Sequence, residues 1–333
     1  MPPLPVPATP RIVIYYQSHH KPDGVPVSVL PLITTPNTTV THLIIAALHL
    51  NDPPGNIHLN DHPPQRPGNQ TLWAELSVLR ASGVKVLGML GGAARGSFAR
   101  LDRDEETFEA YYTPLRDLIR ERSLDGLDLD VEEPMTLAGV IRLIDRLKAD
   151  FGDEFLVTLA PVAGALLSSQ RNLSGFDYEA LEVLRGSSIA WYNTQFYCGW
   201  GDMSSTSGYD MIVARGFPPS KVVVGMVTNP ANGAGWVPFE ILQEVLLNLK
   251  LRYGNAFGGV MGWEYFNSLP GDRDRPWEWA TFMTRNTRSN MEPLPVTNTV
   301  PTGQKEAIVG IVDGESQRCA PLPDSFEYFT DDD

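Results

Sequence analysis

Ten consecutive residues, Leu124 to Glu133, read LDGLDLDVEE and alternate carboxylates with aliphatic side chains. In an extended strand side chains two apart share a face, and the chain rises roughly 3.3 Å per residue. Asp128, Asp130 and Glu132 therefore form one row, and Leu127, Leu129 and Val131 form the opposite one. Such a strand suits a fold that buries the aliphatic face under a second layer and gives the acidic face a polar destination. Neighbours within the row lie within about 7 Å of each other. Three full charges so close, in a poorly solvated place, repel, so at least one proton is expected to be retained and to be available for donation.

Seven further apolar runs frame this strand. They are 11–16, 41–48, 84–90, 155–160, 189–197, 222–227 and 259–265, several of them nearly continuous in apolar or aromatic residues, as buried parallel strands are. Between several of them lie stripes of helical period: Leu115, Leu118 and Ile119; Leu137, Val140, Ile141, Ile144 and Leu147; Phe239, Leu242, Val245, Leu246 and Leu249. Eight alternating units in about 280 residues fit a closed α/β barrel of the (β/α)8 (TIM) type better than a doubly wound sheet, which usually needs fewer strands. The expected organisation is a proline-rich arm (1–10), a barrel (11–285) and a C-terminal tail (286–333) containing a short apolar run at 307–312. The Pro/Asn/His-rich stretch 51–69 is expected to be a long loop over one end.

The formal net charge of −14 disfavours nucleic acid and anionic membrane surfaces as partners and leaves neutral ligands such as sugars unaffected. No apolar run is long enough to span a bilayer, and the first residues, MPPLPVP, lack the charged and apolar regions of a leader. Sequons at Asn37, Asn69 and Asn172 are compatible with an extracellular protein, with a cytoplasmic one as the alternative. Cys198 and Cys319 are either one disulfide or two thiols.

In a barrel of this type reactive residues sit at the C-terminal ends of strands, which is where Glu132 falls, just before Pro134. The spacing Asp125-x-x-Asp128-x-Asp130-x-Glu132 resembles the signature of glycoside hydrolase family 18, which contains chitinases and endo-β-N-acetylglucosaminidases. Residues 30–34 (LPLIT), 58–61 (HLND), 192–197 (YNTQFY) and 262–268 (GWEYFNS) are similar to the fungal endo-β-N-acetylglucosaminidases of that family. Those enzymes cut within the di-N-acetylchitobiose core of N-glycans. A conventional retaining glycosidase needs a second carboxylate about 5 Å away as nucleophile, whereas Asp130 and Glu132 project from one strand toward the same side.

The resemblance implies that the 2-acetamido carbonyl of the sugar attacks instead, forming an oxazolinium. On that reading Glu132 is the acid and then the base, Asp130 orients the acetamide N–H, and Asp128 holds or exchanges a proton with Asp130. Gln195 and Tyr197 would hydrogen-bond the acetamide carbonyl, Trp263 would be the floor beneath the reacting sugar, and Tyr16 would contact the sugar or simply pack. Gly91 and Gly92 resemble the end of the family's Ser-x-Gly-Gly motif with Met89 in place of serine, and are expected to allow close backbone approach. Asp125, out of phase with the row, is expected to be structural.

No cofactor and no metal are expected. The acidic row is also a conceivable site for a hard cation, and all six histidines lie between His19 and His62, with His58 and His62 in a loop-like segment where they need not converge. The expected partner is an N-glycan or N-glycoprotein, bound by a monomer. The rival functions are a chitinase, whose groove Tyr192, Trp200 and Trp236 could line, and a non-catalytic sugar-binding or inhibitor barrel, against which the presence of Glu132 argues.

Overall fold

The computed structural model describes residues 9 to 288. Most of the proline-rich arm and nearly all of the expected tail, with its apolar run and Cys319, lie outside the described residues. The strands are β1 (Arg11–Tyr16), β2 (His42–Asn51), β3 (Asn56–Leu59), β4 (Lys85–Gly91), β5 (Gly126–Asp130), β6 (Leu156–Leu159), β7 (Trp191–Gln195), β8 (Val222–Val227) and β9 (Gly259–Trp263). All except β3 pair in parallel with their neighbours, and β1 bonds to both β2 and β9, so eight strands close into a barrel. Each of the eight apolar runs supplies one of them.

The stretch 51–69 is not simply a loop. β2 continues to Asn51, and β3 returns antiparallel beside it, pairing Leu48 with Leu59 and Asn51 with Asn56. Ile57 and Leu59 turn inward while Asn56 and His58 are half-exposed, a two-residue period that the surrounding prolines and asparagines conceal in the sequence. His58 thus faces His49 across this hairpin, and no helix brings it together with His62.

The helices are α1 (Pro31–Thr34), α2 (Gln70–Ala81), α3 (Ser97–Leu101), α4 (Glu105–Arg122), α5 (Leu137–Phe151), α6 (Tyr178–Arg185), α7 (Ser207–Ala214), α8 (Phe239–Tyr253) and α9 (Glu278–Arg288). The last runs three residues past the expected end of the barrel at 285. The two helices that flank β5 show how local chemistry aims that strand. Asp104 caps α4 by accepting from the Thr107 N–H at 3.0 Å, and Ser123, in the left-handed region, ends it two residues before the motif. Thr136 caps α5 by accepting from the Gly139 N–H at 3.0 Å. Leu115, Leu118 and Ile119 of α4 and Val140, Leu143, Ile144 and Leu147 of α5 are buried in the layer between sheet and helices, together with Leu127 and Leu129 of β5. A second, smaller apolar cluster fills the barrel interior and includes Val13, Tyr15, Ile44, Met89, Trp191, Val223 and Met261. The outer layer fixes β5 in phase, and the inner face of the strand is left to its acids.

Candidate active site

Asp128 lies in the closed interior with no exposed surface, opposite Met89 in register. Three neutral donors surround its carboxylate: Tyr15 Oη at 2.5 Å, Thr158 Oγ1 at 2.5 Å and Asn193 Nδ2 at 3.0 Å. One step toward the mouth, Asp130 sits opposite Gly91 and accepts from Gln195 Nε2 at 3.1 Å. The same nitrogen donates to Glu132 Oε1 at 3.4 Å and to the Ala160 carbonyl at 2.8 Å. Glu132, just past the strand, is half-buried. Asp130 and Glu132 therefore converge on one amide nitrogen and do not face each other across a cleft.

Burial is the largest cause holding protons on these groups, and for Asp130 repulsion by its neighbours adds to it. Burial raises Asp128, opposed by the bonds from Thr158, Tyr15 and Asn193. Asp130 is raised well above the ordinary carboxylate range, first by burial and then by the charges of Glu132 and Asp128. Burial also raises Glu132, opposed by Gln195 and by the cation of Arg95. Among the described residues no lysine or arginine forms a salt bridge with any of the three. The expectation of a retained proton agrees with these directions, but the main cause is the dry interior, more than crowding along the strand.

The remaining expected residues divide by location. Tyr197, two past Gln195 on the same phase, is buried beside the row, where the charges of Asp130, Glu132 and Asp128 oppose its ionisation after burial does. Trp263 ends β9, half-exposed, with its ring 5.5 Å from that of Tyr15. Gly91 and Gly92 both have positive φ, and a Cβ on Gly91 would lie 2.5 Å from the Asp130 carbonyl oxygen, so β4 can approach β5 this closely only with glycine there. Asp125 sits at the opposite, N-terminal end of β5. It pairs with Arg80 and Lys85, each at 3.2 Å, and accepts from the Val86 N–H at 2.9 Å.

Tyr16 does not face the acidic row. Its ring packs in the outer layer against His19 and Tyr265, and its hydroxyl donates to the Val27 carbonyl at 2.5 Å. Of the two alternatives for Tyr16, packing is the one seen; its neighbour Tyr15 has the inward phase and is the tyrosine that reaches the acids. Strand alternation relative to Val13 carries that signal in the sequence. Tyr192 and Trp200 are likewise buried in the outer layer, Tyr192 donating to Glu182 at 2.7 Å, and neither lines a groove. Trp236 packs against the inner cluster, which contains Tyr197, and its ring meets that of Phe239. Two buried carboxylates were not anticipated. Glu133 accepts from the N–H groups of Gly96 and Phe98, and Glu264 from those of Gln17 and Ser18 and from Ser18 Oγ. Both are committed to backbone.

Residues 11–236 match the model of the glycosyl hydrolases family 18. The chain belongs to that family. A solved structure of a fungal endo-β-N-acetylglucosaminidase of family 18 is 53% identical, with a TM-score of 0.81, over 85% of this chain and 100% of that one. The chitinase ChiC from Aspergillus fumigatus is 57% identical, with a TM-score of 0.76, over 82% of this chain and 98% of that one. Chitinase 2 of Rhizopus oligosporus is 27% identical over 209 residues, which is 57% of this chain but 36% of that protein. The chain thus spans little more than a third of that curated relative. Membership places the acidic row in a family described as glycosyl hydrolases. Among the described residues no helix is long and apolar enough to cross a membrane.

Proposed function

We propose that this family 18 protein is a glycosidase, an endo-β-N-acetylglucosaminidase hydrolysing the β-1,4 bond within the di-N-acetylchitobiose core of N-glycans. The observation that carries the mechanism is the convergence of Asp130 and Glu132 on Gln195 Nε2, at 3.1 and 3.4 Å. The buried carboxylates outside the row among the described residues, Glu133 and Glu264, are held by backbone donors and are not available as nucleophiles. With no second carboxylate free to act across the scissile bond among the described residues, the attacking group is read as coming with the substrate, as in the substrate-assisted exceptions to the two-carboxylate scheme.

The sugar's acetamide oxygen attacks the anomeric carbon while Glu132 protonates the departing glycosidic oxygen. The resulting oxazolinium is then opened by water, which Glu132 deprotonates, with net retention of configuration. Asp130 accepts the acetamide N–H, aligns the carbonyl and offsets the growing positive charge. Asp128, held by Tyr15, Thr158 and Asn193, shares the proton that the crowded row retains. The Tyr197 hydroxyl and Gln195, which on this reading leaves one of its three acceptors, hydrogen-bond the acetamide oxygen. Trp263 supplies an apolar face to the sugar ring.

A chitinase is the second reading, favoured by the 57% identity to ChiC and by the Rhizopus relatives. Against it stands the burial of Tyr192 and Trp200, which leaves Trp236 as the one expected groove aromatic at the mouth, beside a stretch 51–69 without Trp, Tyr or Phe. A linear polymer needs a longer run of stacking surfaces than this. A non-catalytic barrel is disfavoured by the intact row. Exposed Asn37 fits an extracellular protein, whereas Asn69 is buried and bonded to Arg66, and Asn172 is bonded to Ser174 and Phe176, so neither is a ready glycosylation acceptor. The test is product mass after separate incubation with an N-glycoprotein and with chitin oligomers. A single N-acetylglucosamine left on asparagine supports the proposal, and cleavage of the oligomers alone overturns it in favour of the chitinase.

A further inference from the structure

Glu132 stands where the sheet no longer holds the chain. The last ladder partners of β5 are Leu129 with Leu159 of β6 and Asp130 with Gly91 of β4. The carbonyl of the next residue, Val131, is bonded by a side chain instead: buried Ser174, in the connection between β6 and α6, donates its hydroxyl to it at 2.6 Å. The Ser174 carbonyl in turn accepts from the Met135 N–H at 2.9 Å. One residue thus grips the chain at 131 and at 135, on both sides of Glu132, and is itself held by Asn172 Oδ1, which accepts from its N–H at 2.7 Å. A serine hydroxyl has one proton to give, and a carbonyl can only accept. At the 2.8 Å contact between the hydroxyls of Ser174 and Tyr178 the tyrosine is therefore the donor. The result is a directed chain from Tyr178 through Ser174 to Val131, ending one residue before Glu132.

We propose that Ser174 is a positioning residue for the proton donor: by fixing the Val131 carbonyl it sets the direction in which Glu132 leaves the chain, and so its reach to the departing glycosidic oxygen. The peptide group is planar, so the direction of the Val131 carbonyl fixes the plane that also carries the Glu132 N–H and ends at the Glu132 Cα. The Glu132 carboxylate itself meets Gln195 Nε2 at a long 3.4 Å, which leaves its placement to the backbone. A general acid works only within hydrogen-bond reach of the atom it protonates, and a misplacement of about 1 Å costs on the order of 10²-fold in rate.

The role rests on Glu132 being the proton donor, a premise that the endoglycosidase and chitinase readings share. The test compares two leaving groups in the full-length protein: whichever of the N-glycan and the chitin oligomer is cleaved, and the same sugar carrying 4-nitrophenol in place of the departing sugar. The quantity read is kcat/KM, which reports the steps up to departure of the leaving group. Nitrophenolate departs with little help from an acid, whereas a sugar alkoxide needs its proton. Ser174→Ala should therefore lower kcat/KM about tenfold with the sugar leaving group and leave it within about twofold with nitrophenol. If that variant does not fold, Tyr178→Phe, which removes the donor to Ser174, takes its place under the same criterion. A residue that merely stabilised the fold would change both substrates alike, so an equal fall on both, or no fall on either, overturns the proposal. Glu132→Gln on the same pair tests the premise separately. A far larger loss with the sugar leaving group than with nitrophenol upholds Glu132 as the acid, and equal losses remove that assignment whatever Ser174→Ala does, so the two failures are distinguishable.

Discussion

Asp125 and Glu132 come from one motif seven residues apart, yet they occupy opposite ends of the barrel and opposite electrostatic settings. At the N-terminal end Asp125 meets two cations and a backbone N–H, the ordinary way to satisfy a carboxylate near a surface. At the C-terminal end Asp128, Asp130 and Glu132 are met by Tyr15, Thr158, Asn193 and Gln195, all neutral donors. A cation in contact would have fixed these groups as carboxylates. Neutral donors in a dry interior hold the acids in place without removing their protons. The difference separates a carboxylate that ties elements together from carboxylates that can trade a proton.

The comparison fails most visibly if Glu132 is dispensable. Glu132→Gln should lower kcat by about 10³-fold or more, the upper part of what a positioned acid and base contributes, with melting temperature close to that of the original protein; steady-state assays on the accepted glycan check this. Asp130→Asn tests the same row in two ways. It should slow cleavage of the intact glycan far more than the opening of a preformed sugar oxazoline, because the oriented acetamide matters only while the ring is forming. It should also raise stability in a pH-dependent manner. Asp130 is protonated more readily in the fold than in the unfolded chain, so its contribution is fully present below the unfolded value near 3.8 and is lost as pH rises through the elevated folded value. The melting temperature of the variant should therefore exceed that of the original protein by an amount that grows from pH 4 toward pH 8. A constant difference would contradict the assignment of a retained proton.

Smaller effects are expected away from the reacting atoms. Tyr15→Phe removes one of three donors to a fully buried carboxylate and should cost about 1–2 kcal/mol of stability, read by denaturant unfolding. At the other end, Asp125→Asn should cost about 1 kcal/mol or less, because its two ion pairs are partly exposed, and should leave kcat within roughly twofold. A large kcat effect there would erase the distinction between the two ends.

How much of this was legible beforehand differs between fold and site. The eight strands could be read because buried parallel strands are nearly continuous apolar runs, and β1 and β8 begin and end where their runs do. The phase of the acidic row was legible for the same reason: Leu127 and Leu129 had to face the helices. β3 was not, because only Ile57 and Leu59 mark it among prolines and asparagines. Tyr15 was not singled out, because two adjacent tyrosines look alike until the phase of β1 is tracked across the barrel to Asp128. Glu133 and Glu264 were hidden because their partners are backbone N–H groups of other segments, which no side-chain pattern displays. The cause of the retained proton was only partly legible, since spacing reports repulsion while depth of burial depends on all eight strands.

The central claim is that the row works only on a sugar that carries its own nucleophile. It is tested most directly by comparing the accepted glycan with its analogue bearing an N-trifluoroacetyl group on the reacting sugar, following the first-formed anomer by NMR. The account predicts retention of the β configuration and a fall in kcat/KM of about 10²-fold or more for the fluorinated analogue, whose carbonyl is a poorer nucleophile. Equal rates for the two substrates, or an α-anomer as first product, would contradict it.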